Sequence, residues 1–351
     1  MIVTNTQVSE TITSPSYLEL ISHERSDDFE VKKKNVQSEN GKYTFLFWQF
    51  ETPLKWENLI LITIVHVIAI YGFFEHFIVV RTPGIVIYSL IFGGISGFGI
   101  TAGAHRYWTH RCYKAKLPLR IILLICYSCA GQNSIVDWVR DHRVHHKFSE
   151  TDADPHNSNR GFFFSHVGWL MMKKHPEVLS KGKTIDCSDL LKDPLVAFHQ
   201  KHFMWFKIFF CFLLPTIIPP YLFGETWYTS IMAICFVRYV VSLNSTWAVN
   251  SVAHFYGNKP YDRRIRPVEN AGVSLFAMGE GYHNYHHTFP WDYRAAELGV
   301  SLNVTALFLD LFGKIGWAYD FKVGSEDLKK TMIKNYGDGS YHGRIEDAKV
   351  E

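Results

Sequence analysis

Eight of the chain's 18 histidines fall in three short motifs. The first is Gly103-Ala104-His105-Arg106-Tyr107-Trp108-Thr109-His110-Arg111, the second Asp141-His142-Arg143-Val144-His145-His146, and the third His283-Asn284-Tyr285-His286-His287. A lone histidine is ordinarily a surface polar group or a hydrogen-bonded core residue. Three imidazoles on one helix are different. Protonated they repel one another, and neutral and buried each needs partners. A metal ion satisfies both conditions. In the second and third motifs the i, i+3, i+4 spacing puts all three rings on one helical face, about 5–6 Å apart at Cβ. His105 and His110 do not fit this scheme. Five residues turn about 140° on an ideal helix, so either the helix ends or distorts between them or the two bind different metals.

Imidazole suits Zn, Cu, Fe and Ni. Eight ligands are too many for one ion, so two are expected. Structural zinc usually recruits cysteine, and none of the six cysteines lies inside the motifs. Cys126-Tyr127-Ser128-Cys129 sits in an apolar stretch with no second pair and reads as core. The cysteines are scattered through apolar segments, which argues against a disulfide scaffold. A net charge of +3 with no long basic run excludes a nucleic-acid binder from the expected classes.

The elements that must carry these motifs alternate between apolar and polar. Mean hydropathy is only -0.03, but the average conceals apolar blocks at residues 58–80, 84–104, 208–223 and 227–249, each near the length of a membrane span. The third holds Pro215, Pro219 and Pro220 and is expected to kink or end early. Tight turns at Arg81-Thr82-Pro83 and Gly224-Glu225 join them into two hairpins. Residues 1–57 hold six Lys+Arg, 105–207 sixteen and 251–351 twelve, while the two turns hold only Arg81. The positive-inside rule then places both termini and the central segment in the cytosol, so all three motifs face one side and can meet. The apolar stretch Pro118–Val136 would put the later motifs on the opposite side if it crossed, so it is expected to be interfacial or re-entrant. Leu302–Trp317 is expected to be a second interfacial helix. Residues 1–45 and 321–351 read as polar tails around a membrane domain at 46–320, with no signal peptide. The fold class expected is an all-α integral membrane protein with a cytosolic helical cap.

HxxxxH, HxxHH and HxxHH with four apolar spans resemble the membrane acyl-CoA desaturases. The resemblance extends to Gly131-Gln132-Asn133, Trp138-Val139-Arg140-Asp141, Ser165-His166-Val167-Gly168-Trp169-Leu170, the segment from Thr246 to His254, and the segment from Gly281 to Pro290. It covers about residues 42 to 320, and its wording is similar to the insect branch, moths in particular. It implies a ninth ligand, His254, that spacing alone does not find, and Asn250 reaching metal through water. The implied ligand set is His105, His110, His142, His145, His146, His254, His283, His286 and His287 around two irons, with His156 and His166 either structural or supporting the ligands.

The resemblance also implies the reaction, which is O2-dependent removal of two hydrogens from a long-chain acyl-CoA. The electrons would come from NADH through a reductase and a separate cytochrome b5, at the endoplasmic reticulum membrane. Unsaturated fatty acid synthesis, including pheromone precursors, is the implied setting. An acyl tunnel is expected to bend near Gln132, Trp138 and Thr246, with Trp247 nearby. The CoA head would contact Asn58, Arg140, Asp141 and the pair Lys173-Lys174. The tunnel end would lie along the second span at Gly93 and Gly97, although the glycines there, with Gly94 and Gly99, could equally serve helix packing.

A histidine-rich di-iron hydroxylase is the nearest rival enzyme, and a conjugase or acetylenase a closer variant. A haem electron carrier would need paired histidines inside the bilayer, where the sequence offers only His66 and His76.

Overall fold

The computed structural model describes residues 43–45, 48–79, 83–297 and 303–341. Residues 1–42 of the expected tail at 1–45, the end of the first apolar block at Val80, most of the first turn (Arg81 and Thr82), Leu302 and the last ten residues lie outside them.

The chain divides into a short unit, Met1–Pro53, and a large one, Leu54–Glu351. In the short unit, β1 (Tyr43–Phe45) pairs antiparallel with β2 (Trp48–Phe50), Tyr43 opposite Phe50.

The large unit is helical. Four helices among the described residues are long and apolar enough to cross a membrane: α1 (Trp56–His76), α2 (Pro83–Thr109), α6 (Phe203–Phe223) and α7 (Trp227–Phe255), with mean hydropathies from 1.3 to 1.9. Their outward residues, such as Ile60, Leu61, Ile64 and Val67 on α1, are exposed, as lipid-facing surface must be. Helices α2 and α7 run past the apolar blocks at 84–104 and 227–249, and the extra turns carry His105 and His254. Pro219 and Pro220 lie inside α6 without ending it, which closes at Gly224 in a left-handed turn (φ 68°).

Between the hairpins, α3 (Leu117–Ala130) and α4 (Ile135–Phe148) meet at 85°. Each has 14 residues, about 21 Å of helix, too short to cross alone. Gly131 ends α3 with φ 62°, and the Ser134 hydroxyl caps α4 by accepting from the Asp137 amide. The chain therefore turns back, and the second histidine motif stays at the same end as the first.

The cap is completed by α5 (Pro194–Lys201), α8 (Ala271–Phe276), α9 (His283–Thr288), α10 (Val304–Lys314) and α11 (Glu326–Tyr336). A two-residue ladder, β3 (Lys114–Ala115) against β4 (Ala318–Tyr319), ties the end of α2 to the segment after α10. Its core packs Trp108, Leu119, Leu123, Tyr127, Ile135, Val139 and Leu309 together. The segment 321–351, expected as a polar tail, contains α11 (Glu326–Tyr336). Met332 and Ile333 of that helix pack on Tyr261, Tyr285 and Phe289.

Arg238, in the middle of α7, is buried and bonded. Its guanidinium donates to the carbonyls of Cys129 and Cys211. Carbonyls on neighbouring helices thus carry a cation that lipid could not.

Candidate metal centre and acyl tunnel

The histidines converge from four elements into two groups, and within each group the candidate ligand atoms lie within 4.8 Å of one another. The first group is His105, His110, His142, His146 and His286; the second is His145, His254, His283 and His287. Each triplet is divided between them. On α4 the i, i+4 pair His142 and His146 joins the first group and His145 the second. On α9 the pair His283 and His287 joins the second and His286 the first. The common helical face is therefore real, but it straddles two sites.

The awkward pair is reconciled by the backbone. Residues Gly99–Thr109 wind as a π-helix, and the His110 amide bonds the His105 carbonyl five residues back. A π-turn takes five residues where an α-turn takes four, so His105 and His110 face the same way, with ring centroids 4.9 Å apart.

Within the first group, His286 Nε2 stands 2.9 Å from His105 Nε2 and 3.0 Å from His146 Nε2. Within the second, His283 Nε2 is 3.1 Å from both His254 Nε2 and His287 Nε2. One ring proton cannot serve two such neighbours. Nitrogens bound to one ion at 2.0–2.1 Å stand about 3 Å apart, so a shared cation fits this spacing. The buried Nε2 atoms of His110, His142 and His145 have no hydrogen-bond partner in the protein, as ligand lone pairs would not.

Three carboxylates fix the rings from behind. His145 Nδ1 lies 2.8 Å from Asp154 Oδ1 and His254 Nδ1 2.8 Å from Glu150 Oε1. His105 Nδ1 lies 2.8 Å from Glu280 Oε2. A carboxylate holding the Nδ1 proton leaves Nε2 bare and aimed inward. Glu280 also takes two bonds from the fully buried Arg106 guanidinium. Sequence reasoning missed these acids. Their only signal is proximity to the motifs, Glu280 three residues before His283 and Glu150 four after His146.

Burial and then mutual repulsion hold His110, His142, His146, His283, His286 and His287 below the ordinary histidine range, so their lone pairs are free at neutral pH. Burial would also lower His145, but Asp154 outweighs it and raises the ring. Burial pushes Asp154 and Glu280 up, and their basic neighbours more than offset this and hold both at about 2.

A cavity of about 230 Å³ reaches the metal groups, where His105, His142 and His283 form part of its wall. Asn58, Gln132, Trp138, Asp141, Thr246, Trp247 and Asn250 also line it. Trp138 Nε1 donates to Gln132 Oε1 at 2.9 Å, and Gln132 Nε2 donates to Thr246 Oγ1 at 2.9 Å. Trp138 stacks on His142 with centroids 4.9 Å apart, so the wall and the ligands form one packed unit. Arg140, Lys173 and Lys174 stand outside the lining. Lys174 pairs with Asp141 at 2.8 Å, and Arg140 pairs with Asp137 at 3.0 Å. His156 joins His145 and Asp154 in a third cluster, while His166 bonds Ser251 and Asn244 away from both groups.

Residues 81–298 match the fatty acid desaturase family model. The chain belongs to the fatty acid desaturase family. Over 83% of its length the desaturase is 52% identical to 81% of an acyl-CoA Delta-9 desaturase from Acheta domesticus. A moth acyl-CoA Delta(11) desaturase from Spodoptera littoralis is 50% identical over 83% of this chain and 86% of its own. Human stearoyl-CoA desaturase is 45% identical over 94% and 89%. The desaturase is thus a multi-pass helical membrane protein whose histidine groups are positioned to bind metal.

Gly93 and Gly97 line a second cavity of about 430 Å³. A Cβ on Gly97 would stand 2.6 Å from Met278 Sδ, whereas one on Gly93 or Gly94 would meet nothing within 4 Å. Gly99 is a packing glycine, since its Cβ would collide with the Cys126–Tyr127 backbone.

Proposed function

We propose that the desaturase introduces a double bond into a long-chain fatty acyl-CoA, using O2, at two irons held by nine histidines. The observation that carries this is the junction of the two imidazole groups with the cavity walled by Trp138, Gln132 and Thr246. Likeness to relatives named acyl-CoA desaturases supports the same substrate class.

Iron, when bound, supplies the reduction of O2 and the abstraction of unactivated hydrogens. The protein's part is placement. His105, His110, His142, His146 and His286 hold one ion. His145, His254, His283 and His287 hold the other, with Asn250 reaching it through water. Trp138, Gln132 and Thr246 bend the acyl chain so that two adjacent methylenes lie beside the imidazoles, and Trp247 closes the wall and excludes water. Asn58, Arg140, Asp141, Lys173 and Lys174 receive the CoA head at the mouth, the cations meeting its phosphates. Gly93 and Gly97 leave room for the distal chain. Electrons come from a separate cytochrome b5 and its NADH reductase. The protein resides in the endoplasmic reticulum membrane with both termini, the polar segment 1–45 and the segment 321–351 that carries α11, in the cytosol.

Expression in desaturase-deficient yeast with double-bond mapping tests the reading. New unsaturated acids, two hydrogens lighter than their precursors, are expected. A product heavier by one oxygen would make the protein a hydroxylase.

A further inference from the structure

The second cavity adjoins the first, with Ile100, Thr101, Thr246, Val249 and Glu280 lining both. Its far walls have an unusual composition for the end of an enclosed tunnel. Leu90 on α2 is 71% exposed, Val241 on α7 53%, and Leu275 and Phe276 on α8 59% and 70%. Leu90 and Val241 lie on spans, whose surroundings are hydrocarbon, and the exposed Leu275 and Phe276 of α8 extend that apolar surface toward the cap. Along the α2 side, Gly93 and Gly94 put no side chain across the gap, and open space stands where their Cβ atoms would be. Among the described residues, the only charged ones in the lining are Arg238 and Glu280. Both are engaged, Arg238 by the Cys129 and Cys211 carbonyls and Glu280 by Arg106 and His105, so an apolar chain meets no free charge.

We infer that this cavity is a lateral portal. The acyl chain passes the metal groups, leaves the protein between α2, α7 and α8, and lays its methyl end in the bilayer. The inference rests on the acyl-CoA reading above. It makes the tunnel a measure of the distance from CoA to the reacting methylenes, not of total chain length. Methylenes beyond the portal exchange protein contact for lipid, so lengthening the substrate neither gains nor loses much. In an enclosed site each misfitting methylene costs about tenfold or more. The same opening gives a product with a new bend a sideways route out.

The test uses the full-length protein in phospholipid vesicles and measures equilibrium binding of palmitoyl-CoA, arachidoyl-CoA and lignoceroyl-CoA. The three affinities are expected to agree within about threefold, against tenfold steps for a closed pocket. A nitroxide on the methyl end of bound lignoceroyl-CoA is expected to be relaxed by O2 dissolved in the lipid and not by a water-soluble relaxation agent. In Gly94→Phe, whose new ring has room to fill the gap, the lignoceroyl-to-palmitoyl affinity ratio is expected to fall about tenfold. Binding of palmitoyl-CoA with loss of lignoceroyl-CoA in the unaltered protein, or a nitroxide shielded from both agents, would overturn the portal and leave the proposed function standing. Failure to bind any of the three would overturn that function, and the portal with it.

Discussion

Asp154, Glu150 and Glu280 determine which nitrogen of His145, His254 and His105 faces inward. Amide replacements keep the shape and lose the charge, so Asp154→Asn and Glu150→Gln are each expected to lower iron affinity about 10–100-fold. Metal retained through a graded chelator series measures this. Stability should also depend on pH through two opposing effects. The six histidines held below their ordinary range exclude protons when folded, so their contribution is lost as pH drops below about 6.5, where the unfolded chain takes protons up. On the other limb, burial raises Glu269 to about 8 against the weaker pull of its amide donors. Its folded form keeps a proton that the unfolded form releases, so stability declines as pH rises from the ordinary carboxylate range to about 8. Glu269→Gln is expected to remove the decline between the ordinary carboxylate range and about 8, read as Tm against pH, and to leave the histidine-driven fall below about 6.5 in place.

At the scale of elements, the helices were legible in the sequence where composition alone decides them and illegible where winding or packing decides them. The apolar blocks announced the four spans, while the Gly131 turn and the Ser134 cap that set α3 and α4 at 85° were seen only in the folded chain. The π-turn between Gly99 and Thr109 was not legible, because a five-residue histidine spacing on its own allows an end, a distortion or separate ions. The division of each triplet between two groups was hidden for a related reason. It depends on α4 and α9 packing so that both faces are shared, which no single helix records. The partners of Arg238 were hidden as well, because they are carbonyls of α3 and α6. Two glycines test this level. Gly99→Ala places a Cβ against the backbone of α3 and should cost about 1–3 kcal/mol, seen as a lower Tm. Gly97→Leu must displace the flexible Met278 side chain and narrow the second cavity, and its products are expected to shift toward shorter acyl chains by gas chromatography. An unchanged profile would make Gly97 a packing residue only.

For the whole molecule, one topological fact organises the rest. Two hairpins and a re-entrant pair return the chain to the same end, so residues more than 180 positions apart, such as His105 and His286, come within 2.9 Å. The family likeness supplied His254, which no spacing rule finds, while the carboxylates behind the rings had to await the folded chain. The account stands on nine imidazoles gripping two ions, and the iron content of the purified, catalytically active protein tests this most directly. Two irons per chain are expected. One iron, none, or full activity with another metal in their place would contradict it.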